Sequence, residues 1–228
     1  MNFDLWRELG TFLLRGIPVT LEITALASIV ALCAAFVSGT AQLAPWRSVR
    51  WLATVYIETF RGTSALVQLF VLFYVLPLVG VSASPLAVGV FGLGLCFGAY
   101  GSQIVRAGIL AVDRGQRDAA VALRMTGWQT LRRIVMPQAI PLMLPPFGNE
   151  LIEMLKSTPL VSLIALQDLT FSARIFIDGK GHATQAYATL LFIYFAFALP
   201  LSRLTRRLER RTRLAAGGLS DLATERPV

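Results

Sequence analysis

Nucleotide-binding and catalytic signatures are missing from this 228-residue sequence. It has no G-x-x-x-x-G-K-S/T loop, so it does not cradle nucleotide phosphates in the usual way. H-E-x-x-H and G-x-S-x-G are also absent, and neither Cys33 nor Cys96 stands with a companion histidine that would nominate an enzyme. Both cysteines lie inside apolar stretches, which speaks against a disulfide framework or a metal site and leaves them as small packing residues. The single histidine, His182, reads as solvent-facing and without a catalytic role. Charge is scarce, with 15% of residues charged, and acids are the scarcer sign: 13 Asp and Glu against 21 Lys and Arg, a net charge of +8. That excess flanks apolar runs and forms no separate basic domain, so no nucleic-acid partner is expected.

What is present is apolar surface: 55% of the residues are hydrophobic and the mean hydropathy is +0.64. A membrane-spanning helix needs roughly 20 predominantly apolar residues, and five stretches qualify, 16–42, 52–79, 86–111, 138–166 and 184–203. The first is too long for a signal-peptide core and carries Glu22, so it is read as a retained span. The expected fold is all-α and polytopic. It divides into an external segment 1–15, a transmembrane domain 16–203 with a loop at 112–137, and a basic tail 204–228, partly disordered and touching anionic membrane lipid. Positively charged loops stay in the cytoplasm. One set of alternate loops and the tail hold 14 Lys and Arg and the other set holds four, which places the N-terminus outside and the 112–137 loop and C-terminus inside.

That loop contains GQRDAAVALRMTGWQTLRRIVMPQA, residues 115–139. Ala119, Ala120 and Leu123 share one helical face. Trp128, Leu131, Ile134 and Val135 make a second short apolar stripe, with Arg132 and Arg133 turned away. The pattern predicts two short helices joined by a turn, either lying on the membrane surface or docking in a groove of another protein.

Polar residues inside spans usually face a partner, a cavity or a functional path. In the second span Glu58 and Arg61 are spaced for an intrahelical ion pair, and Gln68 is a cavity candidate. In the third, Gln103 and Arg106 lie near the inner end; Arg106 either snorkels to the interface or pairs with a substrate carboxylate. Gly94 and Gly98 read as a helix-packing pair. In the fourth, Asn149, Glu153 and Lys156 share a face, with Glu150 beside it and Ser157 and Thr158 just beyond. Pro141, Pro145, Pro146 and Pro159 bracket them. That face is read in two ways, as an internal Glu153 to Lys156 ion pair or as the lining of a solute path.

The loop resembles the EAA loop of permeases of ATP-binding-cassette (ABC) importers. Asp118-Ala119-Ala120 stand at its E-A-A, Arg124 at its glycine, Ile134 at its isoleucine and Met136-Pro137 at its L-P. Arg124 departs most, with Gly127 available to make the turn instead. Glu58 to Ser64 followed by Leu66-Val67-Gln68-Leu69, then Asn149-Glu150, then Leu155 to Leu160, resemble in order the motifs of the polar amino acid branch. The first stretch also resembles permeases for ectoine and hydroxyectoine. The resemblance implies a type I importer permease in the bacterial inner membrane, with no cofactor of its own. It further implies a cytoplasmic ATPase dimer that binds ATP and Mg, a second permease subunit, an external solute-binding protein and a small zwitterionic solute. An ion-coupled secondary transporter is the reading from another class; no internal repeat supports it. By the same resemblance, Asp118, Ala119, Ala120, Leu123, Arg124, Gly127, Ile134 and Pro137 form the coupling site.

Overall fold

A computed structural model describes the backbone of residues 3–224 and the side chains of residues 6–210. Among these residues all regular structure is helical. Helix α1 (Phe3–Ala41) begins well before residue 16, so the proposed external segment is mostly helix. Its hydroxyls do not seek water: Thr20, Thr24, Ser28, Ser38 and Thr40 each donate to the carbonyl four residues back, at 2.6–3.1 Å. Polar groups satisfied within the helix are compatible with a hydrocarbon surround.

The second apolar stretch is not one rod. Helix α2 (Arg47–Gly62) ends at Thr63, and α3 (Ala65–Phe70) continues through wider and tighter turns to Val79 at 104° to it. Gly80, with φ of 87°, ends the segment in a conformation that favours glycine. Helix α4 (Pro85–Ala111) starts on a Ser84 cap that accepts from the Ala87 N–H, with proline at the first helical position. Its 27 residues span about 40 Å, more than the roughly 30 Å hydrocarbon core.

Helices α1 and α4 form the most extensive pair, because small residues let their backbones meet. A Cβ on Gly94 would lie 2.7 Å from Val30, one on Gly98 2.6 Å from Ala34, and one on Gly39 2.7 Å from the Ser102 carbonyl. The packing reading of Gly94 and Gly98 therefore holds.

After the short α5 (Arg114–Ala122) and α6 (Gly127–Thr130), the chain runs through a wide turn at Leu131–Val135 into α7 (Met136–Ser157) and a tight-turned segment, Thr158–Ile164. Helix α8 (Leu169–Lys180) leaves at 51°. Helix α9 (Ala183–Thr224) continues far past residue 203, so much of the predicted tail is helical; the side chains of Arg211 and Arg213, and Arg226 and Pro227 entirely, lie outside the described residues. Among the described residues three helices are long and apolar enough to cross a membrane, and up to five spans result when each bent pair counts as one. Three buried clusters hold the bundle: around Ile23, Leu93 and Val161; around Leu13, Leu169 and Phe176; and around Val105, Val135 and Met143.

Candidate functional site

A cavity of about 450 Å³ opens where the α2–α3 bend meets α4 and α7. The bend supplies Thr63, Ser64 and Ala65, α4 supplies Cys96, Phe97 and Tyr100, and α7 supplies Glu150, Glu153 and Ser157. Its lining carries two carboxylates and no cation. Glu150 is only partly exposed and packs against Gly101, whose added Cβ would stand 2.9 Å from the Glu150 carboxylate. Its Oε1 is buried without a partner. Glu153 is 64% exposed and pairs with Lys156 at 3.2 Å along α7. Lys156 is thus held by the neighbouring acid and does not line the cavity, and the internal ion pair and the lining role of Glu153 coexist. The Ser157 hydroxyl donates to the Glu153 carbonyl at 2.9 Å, which fixes it at the cavity wall.

Several predicted path residues do other work. Gln68 closes the bend: its amide donates to the Phe60 carbonyl at 2.8 Å and to the Thr63 hydroxyl at 2.7 Å. Gln103 reaches across to Gln42, just past the end of α1, at 3.4 Å. Thr158 is fully buried, donating to the Leu155 carbonyl and sharing a hydrogen bond with the Tyr194 hydroxyl at 3.2 Å. Asn149 and Arg106 are exposed and stand away from the cavity lining. Arg61 does not pair with Glu58; its guanidinium lies over the Tyr100 ring, 5.5 Å from the centroid, beside the cavity.

Sequence reasoning passed over Tyr100 and Phe97, which are neutral and carry no motif, and read Cys96 as a packing residue, whereas all three line the cavity. The Gly94 and Gly98 spacing was the available signal, because a helix face given to packing defines where its other face points. It also passed over Asp168, which is fully buried and caps α8 by accepting from the Phe171 N–H at 2.8 Å. Next to it the Leu169 N–H donates to the Thr20 hydroxyl, and Tyr194 bridges Thr158 and Thr170. This polar knot ties the second bend to α1 and α9.

The 112–137 loop forms the two helices predicted for it. Asp118, Ala119, Leu123, Arg124, Gly127 and Pro137 are exposed, and Ile134 is partly so. Ala120 is fully buried against the chain itself, so it is not part of an outer docking face. Arg117 donates to the Ile109 carbonyl, anchoring α5 to the end of α4. The turn falls on Arg124, with φ of 53°, while Gly127 simply begins α6 after a Thr126 capping box. Arg132 is not turned away from the apolar stripe: it shares a hollow with Trp128 and Leu131.

Residues 24–214 match the family described as "Binding-protein-dependent transport system inner membrane component". A "Probable amino-acid ABC transporter permease protein" of Sinorhizobium fredii is 42% identical over 210 residues, covering 90% of this chain and 88% of the relative. An "L-cystine transport system permease protein" of Bacillus subtilis is 36% identical, covering 86% of this chain and 84% of the relative. Among solved structures, the "Crystal structure of an amino acid ABC transporter with histidines" superposes with a TM-score of 0.85 at 34% identity, covering 92% of this chain and 99% of that one.

Proposed function

Because the chain belongs to the family of binding-protein-dependent transport system inner membrane components, we propose that it is the permease of an ATP-driven amino-acid importer and passes its solute along the Glu150 and Glu153 carboxylates. Two observations support this: similarity to amino-acid permeases over nine-tenths of the chain and a carboxylate-lined cavity at a bent helix pair. The cavity carries the argument. Irregular backbone at membrane depth is tolerated where it borders a cavity, and a lining with two carboxylates, one of them paired with Lys156, suits the ammonium of an amino acid, with the Arg61 guanidinium beside the cavity. A cationic side chain is favoured further.

The cavity is open on one side, so a second permease subunit closes the path. The charge bias of the loops puts the N-terminus outside and the 112–137 loop in the cytoplasm. There the exposed residues of α5 and the Arg124 turn meet an ATPase dimer, which binds the ATP and Mg that this chain has no loop to hold. A solute-binding protein delivers from the outer face.

Uptake by the reconstituted complex tests the site. Glu153→Gln should lower uptake efficiency for a cationic amino acid about ten-fold or more, as expected for losing a charge-assisted bond of roughly 1.5–3 kcal/mol, with a smaller loss for a neutral one. Equal uptake by both proteins, with the complex intact, would move the path elsewhere. Ectoine belongs in the same panel.

A further inference from the structure

Two apolar hollows meet along α7, the second reaching Glu150, which also lines the carboxylate-bearing cavity. The first, about 550 Å³, lies where Val37 and Thr40 at the end of α1 face Trp128, Arg132 and Ile140. The second, about 450 Å³, runs between α1, α7 and α9 past Leu32, Leu144, Leu151 and Leu204. Phe36 and Ile140 line both, so the two form one groove. From Ile140 to Met154 it follows about 21 Å of helix, somewhat more than one leaflet of a roughly 30 Å hydrocarbon core.

The groove is asymmetric in polarity. Its shaft is apolar except for Ser28, whose hydroxyl is given to the Thr24 carbonyl, and Glu150 near its far end, while hydrogen-bond donors gather at the loop end. The Arg132 guanidinium and the Trp128 indole N–H have no hydrogen bond or ion pair to any described residue. Thr40 adds no donor, because its hydroxyl is already given to the Phe36 carbonyl. The neighbouring wall of α1, with Ile29 59% and Val37 70% exposed, continues as a surface facing hydrocarbon.

We propose that this groove is a binding site for one anionic phospholipid, its acyl chain along α7 and its phosphate on Arg132 and Trp128. A long apolar slot beside spanning helices is filled by lipid tails, and basic pockets between helices at the cytoplasmic side select anionic head groups. Tryptophan at the mouth suits the interfacial depth. The Arg132 cation also disfavours a head group that ends in an ammonium. A second copy of the chain would need no such one-ended set of donors. The site rests on the membrane path of the helices and on the orientation proposed above, and is independent of the solute.

The test is native mass spectrometry of the purified complex after equilibration with equal amounts of phosphatidylglycerol and phosphatidylcholine and gentle delipidation. The expected result is one retained phosphatidylglycerol per permease. Arg132→Gln should reduce retention about five-fold, the roughly 1 kcal/mol that one arginine contributes near an anionic surface. Leu144→Trp fills the shaft at an exposed position and should remove the lipid while leaving the mouth intact. Equal retention of both lipids, or retention unchanged by both substitutions, overturns the site. So does a wild-type complex without lipid that Leu144→Trp splits into single permeases, which would mean a second copy fills the groove. The permease mass is read directly, so the lipid result stands whether or not an ATPase accompanies it.

Discussion

Arg124 carries a long side chain where the backbone favours none. The Met125 N–H bonds to the Ala120 carbonyl and the Arg124 N–H to the Val121 carbonyl, which together close α5 as a Schellman turn. The residue at its left-handed position is ordinarily glycine, and a side chain there costs about 1 kcal/mol. Arg124→Gly should therefore raise the hydrogen-exchange protection of the Met125 amide about five-fold; unchanged protection would mean the turn is not strained. The sequence revealed that this position departs from its family but not that the turn stays on it. Gly127 looked like a substitute because glycine permits a turn, yet permission is not demand, and the Thr126 capping box had already committed Gly127 to the start of a helix. Ala120 shows the same limit: a small residue marks close approach without saying to what, and here it is buried within the chain, whose α5 packs on the Leu131–Val135 segment.

At the scale of elements, hydropathy gives length and not direction. The stretch 52–79 reads as one apolar run, but Gly62, Thr63 and Ser64 break it, and Gln68 spans the break with bonds to Phe60 and Thr63. The bend then exposes Thr63 and Ser64 to the cavity, so a local irregularity makes the site. The second bend is held by Asp168, Thr20 and Tyr194, residues scattered over three helices that no window of sequence brings together. The α1–α4 contact was legible, because Gly94 and Gly98 recur at helical spacing. It also allows a firm prediction: Gly98→Leu places atoms where Ala34 and the Ala31 carbonyl already are. Overpacking of this kind costs about 1–3 kcal/mol or more, measurable as a lower unfolding temperature of the solubilised protein. Gly10→Ala, with nothing within 4 Å of its added Cβ, should leave that temperature unchanged or slightly higher. Equal effects of the two would show that the helices do not pack through glycine.

For the whole molecule, the five-span all-α architecture was readable from hydropathy, and the family from the motif order. Which polar residues line the candidate cavity was only half readable. Glu150, Glu153 and Ser157 reach the cavity, while Gln68, Gln103 and Thr158 became internal hydrogen-bonding residues, because a polar group in a span can satisfy itself on nearby backbone as readily as on a solute. The most direct measurement is ATP-dependent uptake of labelled amino acids into proteoliposomes containing this permease purified with whatever ATPase accompanies it, supplied with its solute-binding protein. The account predicts that an ATPase co-purifies and that a cationic amino acid accumulates inside only when ATP is provided. Accumulation driven by an ion gradient with no ATPase present would contradict it.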